Sequence, residues 1–127
     1  MANGKSLTIT VFNFGTADSI IYLTEVRFAS GYLESVTGFG GIPGADSTVF
    51  VLQPTQDAED AGPVGGLVFL LGDSDGEVLT VKFVWEDTNK PGATVITNQI
   101  PGFNVEITDN NLNDPNTPSC SVILKLA

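Results

Sequence analysis

From Leu7 to Val11 the chain alternates apolar and hydroxyl side chains, with Leu7, Ile9 and Val11 on one face and Thr8 and Thr10 on the other. A period of two is the mark of a strand half buried against a core. Beyond Val11 the phase blurs, because Phe12 and Phe14 are apolar on the opposite face. That pattern predicts a bulge, or a strand covered on both sides. A second strand is expected from Ile20 to Phe28, with Ile20, Tyr22, Val26 and Phe28 on one side and Glu25 and Arg27 on the other. A third runs from Thr48 to Leu52. The stretch Gly66–Leu71 is apolar almost throughout and predicts a strand covered on both faces. After it, Asp75-Gly76 favours a hairpin turn, since such turns need left-handed backbone. The return strand alternates cleanly, with Leu79, Val81, Phe83 and Trp85 expected inward and Thr80, Lys82 and Val84 outward. Three further blocks, 94–97, 103–107 and 121–126, complete the series.

Between these blocks lie turn residues. Residues 30–46 carry glycine at 31, 38, 40, 41 and 44 and predict a long loop. The segment from Pro54 to Gly66 is acidic and rich in glycine and proline, which predicts a solvated connection. No segment shows the i, i+3, i+4 apolar spacing of an amphipathic helix. The expected fold class is all-β, a two-layer antiparallel β-sandwich of about eight strands. The 127 residues make one domain, 1–127, long enough to bury a core without disulfides.

Charge narrows the partners. Five Lys and Arg stand against fifteen Asp and Glu, a net charge of −10, and the cations are scattered singly. No cluster can neutralise a row of phosphates, so nucleic acid and anionic membrane surfaces are excluded as ligands. Neutral sugars and zwitterionic lipids remain. The chain has no histidine, so Ser-His-Asp and Cys-His nucleophiles and ordinary zinc sites cannot be built. An enzyme is not expected, and neither is a cofactor. The single cysteine, Cys120, precedes the apolar run Val122-Ile123-Leu124 and is expected to be a small buried side chain. The N-terminal MANGKS has no apolar signal core. No apolar run approaches the roughly 20 residues of a spanning helix. The expectation is a soluble protein, cytoplasmic or released without an N-terminal signal peptide.

Two acidic loops present oxygen atoms of the kind calcium prefers. Asp73-Ser74-Asp75-Gly76-Glu77 is short and is read as the hairpin turn itself. The second, DNNLND at 109–114, resembles the calcium loop of the bacterial fucose-binding lectins, which lies before the last strand of a β-sandwich. That resemblance implies a calcium-dependent carbohydrate-binding lectin with Asp109, Asn111, Asn113 and Asp114 as metal ligands. The sequence departs from the lectin pattern where Pro115 to Ser119 intervene before the last strand and where the chain ends in Ala127. A solvated Asn/Asp turn is the alternative reading of the same residues.

A wider resemblance runs collinearly along most of the chain. Val11-Phe12-Asn13-Phe14-Gly15 is similar to a Val-His-Asn-x-Gly strand ending, and Ser30-Gly31-Tyr32-Leu33 to a small-Gly-x-Leu continuation. Gly66–Leu70, the Asp-Gly turn and Val81-Lys82-Phe83-Val84-Trp85-Glu86 resemble a central hairpin ending in aromatic-Trp-acid. Pro91 and Gly92 follow it, and Asn111-Leu112 precedes the last strand. In these features the chain resembles the aegerolysins, small acidic β-sandwich proteins. The resemblance implies recognition of sphingolipid- or sterol-rich membrane domains, with zwitterionic lipids as ligands. It also implies cooperation with a separately encoded perforin-type pore-forming protein in a two-component toxin. Trp85, Glu86 and Asp87 are then the candidate lipid-binding residues, with an acid set to meet a choline or ethanolamine cation. The other reading of Trp85 is a core aromatic that continues the inward Leu79-Val81-Phe83 face of its strand. Fungal members carry several tryptophans, whereas this chain has one, and Asp87 stands where the family has cysteine.

Overall fold

The computed structural model describes residues 6–14, 20–37, 41–44, 46–53, 62–72, 77–84, 93–109, 111–112 and 117–126, with Ser30, Asp109 and Leu126 described by backbone alone. The described residues form ten strands: β1 Leu7–Phe14, β2 Ile21–Ser30, β3 Tyr32–Thr37, β4 Gly41–Ile42, β5 Asp46–Gln53, β6 Val64–Leu71, β7 Val78–Val84, β8 Thr94–Thr97, β9 Phe103–Asp109 and β10 Ser119–Leu126. They build two five-stranded sheets, β3-β5-β1-β10-β9 and β4-β2-β6-β7-β8. The fold is all-β and a sandwich, as the alternation predicts. Among the described residues no helix is long and apolar enough to cross a membrane.

The core lies between the sheets. From the first sheet it takes Leu7, Ile9 and Val11 of β1, Phe50 and Leu52 of β5, and Cys120, Val122 and Leu124 of β10. The second sheet supplies Leu67 and Phe69 of β6, and Leu79, Val81 and Phe83 of β7. Phe50 and Phe69 meet edge to face across the two layers, centroids 5.6 Å apart, the geometry that ring quadrupoles favour. Cys120 is buried as expected.

Several elements differ from the sequence expectation, each for a physical reason. All neighbouring strands pair antiparallel except β1 and β10, which run parallel with Thr8 opposite Ser119 and Phe14 opposite Lys125. The last strand inserts between β1 and β9, and no local pattern encodes that choice. The expected loop 30–46 holds two strands, β3 and β4. β3 is an edge strand whose alternation is broken by a register shift between Leu33 and Ser35, so its period-two signal is erased.

Of the two alternatives expected beyond Val11, the bulge is absent and the outer face is not fully covered, since Phe14 is exposed. β1 keeps an unbroken register with both neighbours through Asn13. Phe12 and Phe14 lie on its outer face, where their rings stack at 5.5 Å. The inner-face position after Val11 belongs to Asn13, fully buried, whose Nδ2 donates to the Ile42 carbonyl at 2.8 Å. This bond joins the first sheet to β4 of the second.

The bulges sit in β2 instead. Leu23 pairs with Phe69 and Glu25 with Val68, so Thr24 is an extra residue, and its hydroxyl donates to the Val68 carbonyl at 3.1 Å. One extra residue reverses the phase of everything before it. Ile21 is therefore buried and Tyr22 exposed, the opposite of the expected facing at that end of the strand. Beyond the bulge, Val26 and Phe28 pack on the core and Glu25 and Arg27 face out, as expected.

Candidate functional site

Strand directions put two candidate segments at one end of the sandwich. β7 ends at Val84 and β9 at Asp109, and the Ala93 amide after the first connection donates to the Leu112 carbonyl in the second at 2.9 Å. Trp85, Glu86, Asp87, Asn113 and Asp114 lie outside the described residues. Asp109 is described by its backbone, opposite Cys120. Asn111 is exposed, its amide donating to the Ser119 carbonyl at 2.9 Å, while Leu112 packs against the core. The 111–119 connection is thus pinned at its base to β10 and at Leu112 to the β7–β8 side. The same end carries Tyr32 at the start of β3, half exposed at 50% and paired with Gln53. Gln53 Nε2 in turn donates to Glu34 at 2.8 Å. Among the described residues no group of three or more His, Cys, Asp or Glu converges as metal ligands would.

The opposite end exposes Phe14 and Tyr22. Gly41 and Gly72 flank the Tyr22 ring, where a Cβ would stand 3.3 and 3.0 Å from it. The Tyr22 ring is therefore bracketed by the two glycines, which leave room for it.

A third feature occupies the outer face of the second sheet. A groove of about 530 Å³ is lined by Glu25, Arg27 and Ala29 of β2, Gly65, Gly66 and Val68 of β6, and Thr80 and Lys82 of β7. It adjoins a smaller one that shares Thr80 and Lys82 and reaches Ile96, Thr97 and Asn98. Pairing register explains the shape. Arg27, Gly66, Lys82 and Ile96 are direct cross-strand partners in one row. The glycine in the middle of that row is itself buried, and its missing side chain lowers the floor between two long side chains. Glu25 Oε1 takes Arg27 Nε at 2.7 Å on the β2 wall. The hydrogen bond from Arg27 is the main reason the Glu25 carboxyl is held below its ordinary pKa. Desolvation opposes this, and the guanidinium charge adds to the lowering. On the far wall Asn98 extends the β7–β8 ladder with its side chain, accepting from the Thr80 amide and donating to the Val78 carbonyl, both at 2.8 Å. No local pattern in the sequence singles out Glu25, Arg27, Gly66 or Lys82 as a site. The one legible signal was a glycine within an otherwise apolar strand.

Comparison with known proteins bears on the architecture. No protein-family model matches the sequence, and no curated protein matches it. Among solved structures, the crystal structure of RahU protein in complex with a TRIS molecule superposes with a TM-score of 0.73 at 8% identity, covering 97% of this chain and 96% of that one. IP-1A from Alcaligenes faecalis superposes with a TM-score of 0.61 at 13% identity, covering 96% of this chain and 92% of that one. At such identities the likeness is one of fold. Both neighbours are aegerolysin-fold proteins, and end to end this chain has the aegerolysin-like fold.

Proposed function

We propose that this chain is a non-enzymatic module that recognises zwitterionic lipid headgroups in sphingolipid- and sterol-rich membranes, acting beside a separately encoded perforin-type pore-forming protein. The observation that carries the reading is the aegerolysin-like fold over 97% of the chain, taken with the collinear residues that suggested it from sequence. Two further features support it. RahU is described in complex with Tris, a hydroxylated amine of the same charge class as the choline and ethanolamine cations. The end of the sandwich from which the 85–92 connection departs also bears the exposed Tyr32, and an amphipathic ring suits a membrane–water interface. In this reading Trp85 and Tyr32 enter the interface, and Glu86 and Asp87 meet the headgroup cation.

The test is co-sedimentation with vesicles of graded sphingomyelin and cholesterol content. Binding should rise with sphingomyelin and fall severalfold in Trp85→Ala and Tyr32→Ala variants whose circular dichroism matches the parent. Failure to pellet with any mixture would refute the reading. A chelator arm with glycan probes addresses the calcium-dependent lectin: sugar binding that vanishes with chelator would replace the lipid reading by that one.

A further inference from the structure

The groove on the outer face of the second sheet is built by a residue that the fold itself does not require. Two adjacent glycines, Gly65 and Gly66, sit in β6 opposite β2 and β7. Gly65 is demanded by packing: a Cβ there would overlap the Arg27 carbonyl oxygen and stand 3.0 Å from the Arg27 carbonyl carbon and the Phe28 Cα. Gly66 is not. Its Cβ would meet the Val81 carbonyl oxygen at 3.4 Å and Lys82 Cγ at 3.9 Å, ordinary van der Waals distances, and its φ is not left-handed. A central strand ordinarily places a β-branched or aromatic residue at such a position; glycine there accompanies a bulge or a close approach to the backbone, and the nearby shift of β2 between Phe28 and Ser30 faces Gly65 and Val64 and leaves Gly66 in register.

Charge identifies the class of visitor. The chain carries −10 overall, yet Arg27 and Lys82 flank Gly66 in one cross-strand row. Their Cα atoms are two strand spacings apart, about 10 Å. The remaining charged group on the groove is Glu25, already engaged by Arg27. Lys82 has no ion-pair partner among the described residues. The groove is therefore locally cationic by one charge, with Lys82 as its open donor, Thr80 beside it, and Val68 and Ala29 as neutral floor. Its size lies within the range of small-molecule sites. A phosphate monoester carries up to two negative charges and three terminal oxygens on one tetrahedral centre, so it offers more charge and more acceptors than a carboxylate to cations on both sides of the groove.

We propose that this groove binds a phosphate monoester with a small neutral body, the phosphate seated over Gly66 between Lys82 and Arg27. The proposal stands independently of the lipid reading, because its site is a sheet face and not the loop end. The phosphate can belong to a soluble metabolite or to the headgroup of a phosphomonoester lipid held singly in the groove, which needs no extended cationic surface of the kind this chain lacks, and the test separates the two.

The probes are glycerol 3-phosphate, glycerol as the uncharged control, and phosphatidylcholine vesicles with and without phosphatidic acid. Glycerol 3-phosphate should shift the amide resonances of Gly66 and Lys82, with an affinity in the millimolar range or tighter. Lys82→Gln, which removes the open donor, should weaken binding by about tenfold or more. Gly66→Val, which keeps both cations and fills the floor, should do the same. Lys125→Gln on the other sheet should leave it unchanged. Binding of glycerol 3-phosphate without recruitment to phosphatidic acid assigns a soluble ligand; recruitment lost in Lys82→Gln assigns the lipid. The proposal is overturned if neither probe binds, or if binding survives both groove variants. Sphingomyelin-dependent sedimentation that persists in Lys82→Gln leaves the two readings separate.

Discussion

Gly65 and Gly66 are neighbours in one strand, and their tolerance to a single methyl group should be opposite. At Gly65 the added carbon would be driven into the backbone of β2, against the Arg27 carbonyl oxygen. No side chain can rotate away, so β2 and β6 must part locally or the strand must twist off its register. Overpacking against side chains costs about 1–3 kcal/mol, and a clash with rigid backbone belongs at the top of that range or beyond. At Gly66 the new contacts are of normal length. There Ala restricts the unfolded chain and stabilises by about 0.4–1 kcal/mol. For 127 residues, an unfolding entropy of ~2.1 cal/mol/K per residue makes each kcal/mol worth about 4 °C in Tm. Gly65→Ala should then lower Tm by ~12 °C or more, and Gly66→Ala should raise it by about 2–4 °C. Thermal unfolding followed by circular dichroism, with urea denaturation to confirm that the m-value is unchanged, measures both. Equal Tm values for the two variants, or a loss at Gly66 as large as that at Gly65, would show that the β2–β6 register is not the one described.

Three other outcomes follow from particular groups. Asn13→Ala removes the buried bond to the Ile42 carbonyl and should cost at least about 1–3 kcal/mol in urea unfolding; an unchanged midpoint would mean that this bond does not join the sheets. The Glu25 carboxyl should titrate below its ordinary value by carbon-detected NMR, and Arg27→Gln should return it upward. Because its folded pKa is the lowered one, its stabilising contribution is present above the ordinary carboxylate pKa and is lost as pH falls through the lowered value. A titration identical in parent and variant refutes the assignment to Arg27. Cys120 is buried under the β1–β10 pair, so Ellman's reagent should modify it only at the rate of unfolding and rapidly once denaturant is added; immediate reaction of the native protein would contradict its placement.

The sequence by itself determined the class of fold and most of its core. In β1 and β7 every second side chain is apolar, and because successive strand residues face opposite ways, this local period alone sends Leu7, Ile9, Val11, Leu79, Val81 and Phe83 inward. Cys120 was legible as a small side chain beside the apolar run Val122-Ile123-Leu124, and the pairing of β6 with β7 from the Asp-Gly turn residues and the alternating return strand. The aegerolysin-like architecture was legible only through the order of weak motifs. Tertiary structure decided what local period cannot carry. The facing of Ile21 and Tyr22 depends on one extra residue, Thr24, whose presence as a bulge is defined only against β6. The buried place of Asn13 depends on a carbonyl 29 positions away in the other sheet. β10 lies parallel to β1 across more than a hundred residues of chain. The groove exists because register sets Arg27, Gly66 and Lys82 side by side, three residues from three strands that no window of sequence contains together. Side-chain direction is written residue by residue, but register is a property of pairs of strands and is fixed only when they meet.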